Sequence, residues 1–150
     1  MHIERQKYVP HLCNVSIITL TSDFGEGSLY TAALKGAILS RAPDAQIVDV
    51  SHSVRKFDVI EVAFMLRSIA NEFPRGTIHV ICVQGANTPE TPHRMVTFQG
   101  QHYIGADTGV FRLLSNTEPE GVFDFLGLNL DGDSPTFPET EVFGLASGHS

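Results

Sequence analysis

Three short apolar runs rich in β-branched residues, separated by two stretches of helical periodicity, leave this chain few folds to adopt. Val15–Leu20, Ala45–Val50 and Thr77–Val83 each read as a strand. The third is nearly all apolar, as expected of a strand covered on both faces of a parallel sheet. Between the first two, Ser28 caps a helix running to about Arg41, with Leu29, Ala33, Gly36, Ala37 and Ser40 on its inner face and Pro43 ending it. Between the second and third, Asp58 and Glu61 have capping-box spacing. Val59, Val62, Ala63, Leu66, Ile69, Ala70 and Phe73 then recur at helical intervals until Pro74-Arg75-Gly76. The strand–helix alternation predicts an α/β domain, a parallel-rich sheet with helices on both faces and right-handed crossovers.

Beyond the third strand, Arg94–Gln99 and His102–Ala106 predict a hairpin around Gly100-Gln101. Gly109–Ser115 reads as a short helix and Val122–Leu126 as another strand. Asn129–Pro138 is a loop rich in Asp, Gly and Pro, and a helical pattern starting near Glu141 is still running at Ser150. That points to residues 1–14 as an N-terminal extension and 15–150 as one α/β domain cut before a further part.

Composition narrows the function classes. At 150 residues the chain can bury roughly two-thirds of its unfolded surface. With 42% hydrophobic and 18% charged residues it is globular in character. The net charge is −7 and the basic residues are scattered, which speaks against nucleic-acid binding. No apolar run approaches the ~18 residues of a spanning helix, and Met1–Pro10 lacks the apolar centre of a signal peptide. A cytoplasmic protein without membrane contact is the expectation. The seven histidines show no metal-ligand pairing, so no metal is expected. Cys82, within the third strand, reads as a small buried hydrophobe.

In an open parallel sheet, ligands sit outside the carboxyl ends of the strands. Ser22–Gly27, Ser51–Asp58 and Gln84–His93 lie there, and Thr136–Glu141 can return to the same edge. Asp23, beside Phe24, directly follows the first strand. Its carboxylate either accepts hydrogen bonds from two vicinal ribose hydroxyls or caps its own loop or the following helix. Phe57 either walls a nucleoside or staples onto Val62. His52 is a ligand residue or a satisfied loop histidine. Gly25-Glu26-Gly27 is no dinucleotide fingerprint, because Tyr30 stands where the third glycine belongs.

Ile18-Thr19-Leu20-Thr21-Ser22-Asp23-Phe24-Gly25 resembles the opening motif of the S-adenosylmethionine (SAM) hydroxide adenosyltransferases, the family that includes the SAM-dependent fluorinases and chlorinases. The likeness continues through Ala33–Ser40, Pro43–His52, Phe57-Asp58-Val59, Phe73–Val80 and Ile104–Val110, over roughly residues 16 to 148. It implies an N-terminal α/β domain followed by a smaller β-barrel, here absent, and a homotrimer with SAM bound between neighbouring subunits. It also implies SAM as substrate, attacked at C5′ by water or halide with release of methionine.

Carried over by position, Asp23 matches the carboxylate that holds the ribose, and Phe57 an aromatic near the nucleoside. The hydrolases' Asp after the third strand is Gln84 here, their Arg falls at His93 beside Arg94, and their His is Pro138. A carboxamide cannot serve as a base, and Pro138 has no side-chain polar atom. Glu139 occupies the segment where halogenases place a Ser near the halide, and a carboxylate would repel that anion. The expectation is therefore a SAM hydrolase rather than a halogenase. Gln84, His93 and Arg94 stand on the catalytic side, and Asp23, Phe24, Phe57, Asn87, Phe137 and Glu139 around the ligand. The alternatives are a protein that binds SAM or adenosine without turnover and a structural subunit with a vestigial pocket.

Overall fold

The computed structural model describes residues 17–83 and 92–125. Six strands form one sheet: β1 (Ile17–Ser22), β2 (Gln46–Ser51), β3 (Ile78–Cys82), β4 (His93–Phe98), β5 (Gln101–Ala106) and β6 (Gly121–Phe125), in the order β2-β1-β3-β5-β4-β6. β2, β1, β3 and β5 run parallel, whereas β4 is antiparallel to both β5 and β6. The three helices are α1 (Leu29–Arg41), α2 (Val59–Ile69), extended by a tighter turn at Ala70–Glu72, and α3 (Val110–Leu114).

Side chains alternate across each strand, so the sheet builds two cores. Ile18, Leu20, Ile78, Val80 and Ile104 meet Leu34 and Ile38 of α1 on one face. Ile81, Val96, Phe98 and Tyr103 meet Val62, Ala63 and Leu66 of α2 and Val110, Phe111 and Leu114 of α3 on the other. The expected α/β architecture, with helices on both faces, is present.

Two local expectations shift. The inner face of α1 is not the small-residue stripe: of its members only Ala37 packs against the core, whereas Leu34 and Ile38 are fully buried, Ala33, Gly36 and Ser40 are exposed, and Leu29 is 84% exposed. Burying the two branched aliphatics, four residues apart, gains roughly 1.5–3 kcal/mol each, more than an alanine stripe offers. The hairpin turn also falls one residue earlier, at Gln99-Gly100, with Gln101 already in β5. A two-residue type I′ turn matches the strand twist and has positive φ at both positions, and Gln99 and Gly100 have φ 52° and 77°. The Glu120 carboxylate accepts both turn amides, at 2.9 and 3.2 Å.

The helix caps follow their sequence signals. Ser28 Oγ accepts from Tyr30 N at 3.0 Å, so Ser28→Ala is expected to lower stability by about 1 kcal/mol in denaturant unfolding. Asp58 Oδ1 accepts from Glu61 N at 2.9 Å, but the Glu61 carboxylate turns to Arg55 N at 3.1 Å instead of completing a reciprocal box.

A buried polar chain crosses the face beneath α2. Gln101 Nε2 donates to the carbonyls of Ala70 and Phe73, at 2.7 and 3.2 Å, so its Oε1 is left to accept from His79 Nε2 at 2.5 Å. His79 Nδ1 then accepts the Thr19 hydroxyl at 2.8 Å. The His79 ring also stacks on Tyr103, with centroids 4.9 Å apart. Burial pushes His79 down to about 4 despite the Gln101 hydrogen bond. On the opposite face, burial and then repulsion from His79 push His102 down to about 4 as well. Both rings are therefore neutral at pH 7.

Candidate functional site at the switch point of the sheet

From β1 the chain crosses to β2 on one side and then returns to place β3 on the other. Such a reversal leaves a crevice between the carboxyl ends of the central strands, here β1 and β3. Asp23 stands at that point: its backbone N reaches Cys82 O at 3.4 Å. The residue is only 9% exposed.

Asp23 caps neither its own loop nor α1. Its Oδ2 accepts from Phe57 N, 3.1 Å away in the loop between β2 and α2. One N–H occupies one of roughly four acceptor positions on a carboxylate, which leaves capacity for ligand hydroxyls. Phe57 has φ 61°, in the left-handed region where a bulky residue is strained. Its ring is 67% exposed, so it does not staple onto the buried Val62. Phe24, half-buried, packs against the α1 core and edge-on against Tyr30, with ring centroids 6.1 Å apart.

The loops carrying Asp23 and Phe57 are cross-tied. Gly25 N donates to His52 O at 2.8 Å and Val54 N to Ser22 O at 3.3 Å. The Glu26 carboxylate accepts His52 N at 3.1 Å and the Ser53 hydroxyl at 3.2 Å. Leu20 pairs with Asp49 but Thr21 with Ser51, so Val50 is the extra residue of a bulge, a device that re-aims side chains beside sites. His52, 4% exposed, lies between Ser22 Oγ at 2.6 Å and Asp49 Oδ1 at 2.7 Å. Lys35 Nζ holds the other Asp49 oxygen at 2.7 Å. Burial alone would raise the Asp49 carboxyl, but hydrogen bonds from Lys35 and His52 outweigh it and hold the group below its ordinary value.

Ser22, His52 and Asp49 superficially suggest a nucleophilic triad, but Ser22 has no exposed surface and also accepts from Phe24 N at 3.3 Å. Asp49 and Ser22 also take the opposite ring nitrogens from those in a protease triad. Ser22 is a buried tie, and Cys82 is no nucleophile either. Burial, with the Asp23 charge second, pushes its thiol far up, which leaves it protonated.

The structure thus brings Asp23, Phe24 and Phe57 together. His93 and Arg94 lie at the same sheet edge but on β4, two strands beyond β3. His93 has no exposed surface. Arg94 is engaged by Asp107, and by Asp124 at 2.7 Å, so its guanidinium clamps the end of β5 to β6 instead of lying open to the crevice. Gln84, Asn87, Phe137, Pro138 and Glu139 fall outside the described residues. Among the described residues no metal-ligand cluster forms, and no helix is long and apolar enough to cross a membrane. The sequence reading missed Ser22, Glu26, Lys35 and Asp49. The available signal was Asp49 itself, a charge inside an apolar run.

Comparison with known proteins identifies the family and the fold. The family model for the SAM hydroxide adenosyltransferase N-terminal domain matches residues 18–150. The (R)-S-adenosyl-L-methionine hydrolase of Methanocaldococcus jannaschii is 33% identical over 138 residues, covering 87% of this chain and 51% of the relative. A fluorinase of Nocardia brasiliensis is 39% identical over 62 residues, covering 41% and 21%. A conserved protein of Thermotoga maritima shares the fold, with a TM-score of 0.69 at 23% identity over 87% of this chain and 52% of its own. The chain spans about half the length of the curated hydrolase. With the matched region covering nearly the whole chain, the protein belongs to the SAM hydroxide adenosyltransferase family, through that family's N-terminal domain.

Proposed function

We propose that the full-length protein hydrolyses S-adenosylmethionine to adenosine and methionine, with this domain holding the ribose. The observation that carries the reading is Asp23, a nearly buried carboxylate at the switch point, in a family whose members act on SAM. Its free acceptor positions suit the two vicinal hydroxyls, and charge-assisted bonds of this kind are among the strong ones. Phe24 and Phe57 then flank the nucleoside. Asn87 belongs to the methionine and nucleophile side, and Phe137 and Glu139 are further ligand-binding residues.

Water attacks C5′, the C5′–S bond breaks, and its electron pair leaves on sulfur as the methionine thioether. The attacking water loses a proton to solvent. Because the sulfonium is already a good leaving group, the protein's work is to exclude bulk water and align one molecule in line with the C5′–S bond. In this reading Gln84 orients that water through its amide.

A second reading, binding without turnover, is favoured by one feature: Gln84 stands where the hydrolases carry a carboxylate, and an amide takes no proton. Incubating the full-length protein with SAM and quantifying products separates the two. Adenosine and methionine in equal amounts are expected. Binding without products would establish the second reading, halogenated nucleoside in the presence of chloride or fluoride would replace the nucleophile, and absence of binding would overturn both.

A further inference from the structure

Building on the reading of Asp23 as the ribose-holding carboxylate, we infer that His52 is a positioning residue that sets the Asp23 loop through Ser22. The direction of each hydrogen bond follows from its partners. Asp49 can only accept, so His52 carries its proton on Nε2, and its Nδ1 accepts. Because that Nδ1 carries no proton, Ser22 donates its hydroxyl to it, and a lone pair of the same oxygen accepts from Phe24 N. Donation thus runs from Phe24 N, the backbone amide next to Asp23, through Ser22 and His52 to Asp49, and Lys35 donates to that same carboxylate from its surface side.

Each link has a reason to hold. Lys35 and Asp49 come from α1 and the edge strand β2, and their ion pair fixes the carboxylate that orients the imidazole. Ser22 and His52 are both buried, so the 2.6 Å bond between them meets little competition from water. At the far end, Ser22 holds Phe24 N while the Asp23 side chain holds Phe57 N, and Asp23 is trapped between the two anchors. A carboxylate meant to meet two hydroxyls at once needs that fixity, because a misplacement of a few tenths of an ångström lengthens one bond or the other. His52 touches no ligand in this arrangement. It acts through Ser22.

Two readouts in the full-length protein test this: hydrogen exchange at the Phe24 and Phe57 amides without ligand, and calorimetric titration with adenosine. His52→Gln keeps a group for Asp49 but withdraws it from Ser22, and Ser22→Ala removes the same link from the other side. Both are expected to speed exchange at those two amides and to weaken adenosine by about tenfold, the worth of one hydrogen bond. His52→Asn places its amide at the Nδ1 position and is expected to restore both readouts, although it too loses a bond, to Asp49. A purely structural role would instead make all three variants alike, with faster exchange across the whole sheet. That outcome, or unchanged exchange at Phe24 and Phe57 in His52→Gln and Ser22→Ala, overturns the inference. If exchange responds as expected but even the parent binds no adenosine, the positioning role stands and the nucleoside reading fails.

Discussion

Asp23→Asn is expected to weaken adenosine and SAM binding by at least about a hundredfold while leaving the protein folded. The amide oxygen still accepts the Phe57 N–H, so the loop tie survives. What is lost is the charge behind two hydrogen bonds, each worth roughly 1.5–3 kcal/mol when one partner is ionised, and each 1.4 kcal/mol is tenfold in affinity. Asp23→Ala goes further, because it also strands Phe57 N, whose 3.1 Å bond to Oδ2 holds that residue in its left-handed conformation. A stability loss of about 1–3 kcal/mol accompanies that variant. Calorimetry on both, with unfolding curves alongside, distinguishes binding from folding. Parent-like affinity in Asp23→Asn would remove Asp23 from the ribose and leave it as a loop tie.

The second large effect is acid sensitivity. His79 and His102 titrate at about 4 in the folded protein against an ordinary 6.5, first because burial disfavours their charged forms. Between those values the unfolded chain binds more protons than the folded one, so stability rises with pH across the window and falls as pH drops through it. Each ring accounts for about 3 kcal/mol over the full interval between 6.5 and about 4. Below pH 4 their contribution is exhausted. Asp49, held below its ordinary value of 3.8, loses its own contribution only there. Denaturant midpoints measured in half-unit steps from pH 7 to 4 should therefore descend before the carboxylates begin to matter. His102→Gln should flatten that slope by roughly half, since one of two comparable groups is gone. A level profile between pH 6.5 and 5 would show that the rings are not held neutral.

What the sequence disclosed and what it withheld divide along physical lines. Continuous apolar runs announced β1 and β3, because a strand covered on both faces has little room for polar residues, and the α2 periodicity began at Val59 as read, although the α-helix ends at Ile69 and Ala70–Glu72 tightens before Phe73 turns extended. Asp23 was placed at the strand end by position alone. The α1 face was misread because Ala33, Gly36 and Ser40 form as regular a stripe as Leu34 and Ile38, and only the sheet decides between them. The Ser22–His52–Asp49–Lys35 chain was invisible because it depends on a bulge at Val50 and on the pairing of two strands 30 residues apart, which local spacing does not encode. His79 and Gln101 escaped for the same reason. Each is unremarkable alone, and their partnership exists only across the β3–β5 face.

The backbone of Phe57 carries an evolutionary consequence. Most substitutions accumulate under a stability threshold, and a left-handed position drifts readily to glycine or asparagine, which adopt it with less strain. A phenylalanine there, its ring two-thirds in solvent, offers the fold little that those residues would not. Selection on stability alone would therefore favour replacing it, and a phenylalanine retained at this position across relatives would mark selection on the ring itself.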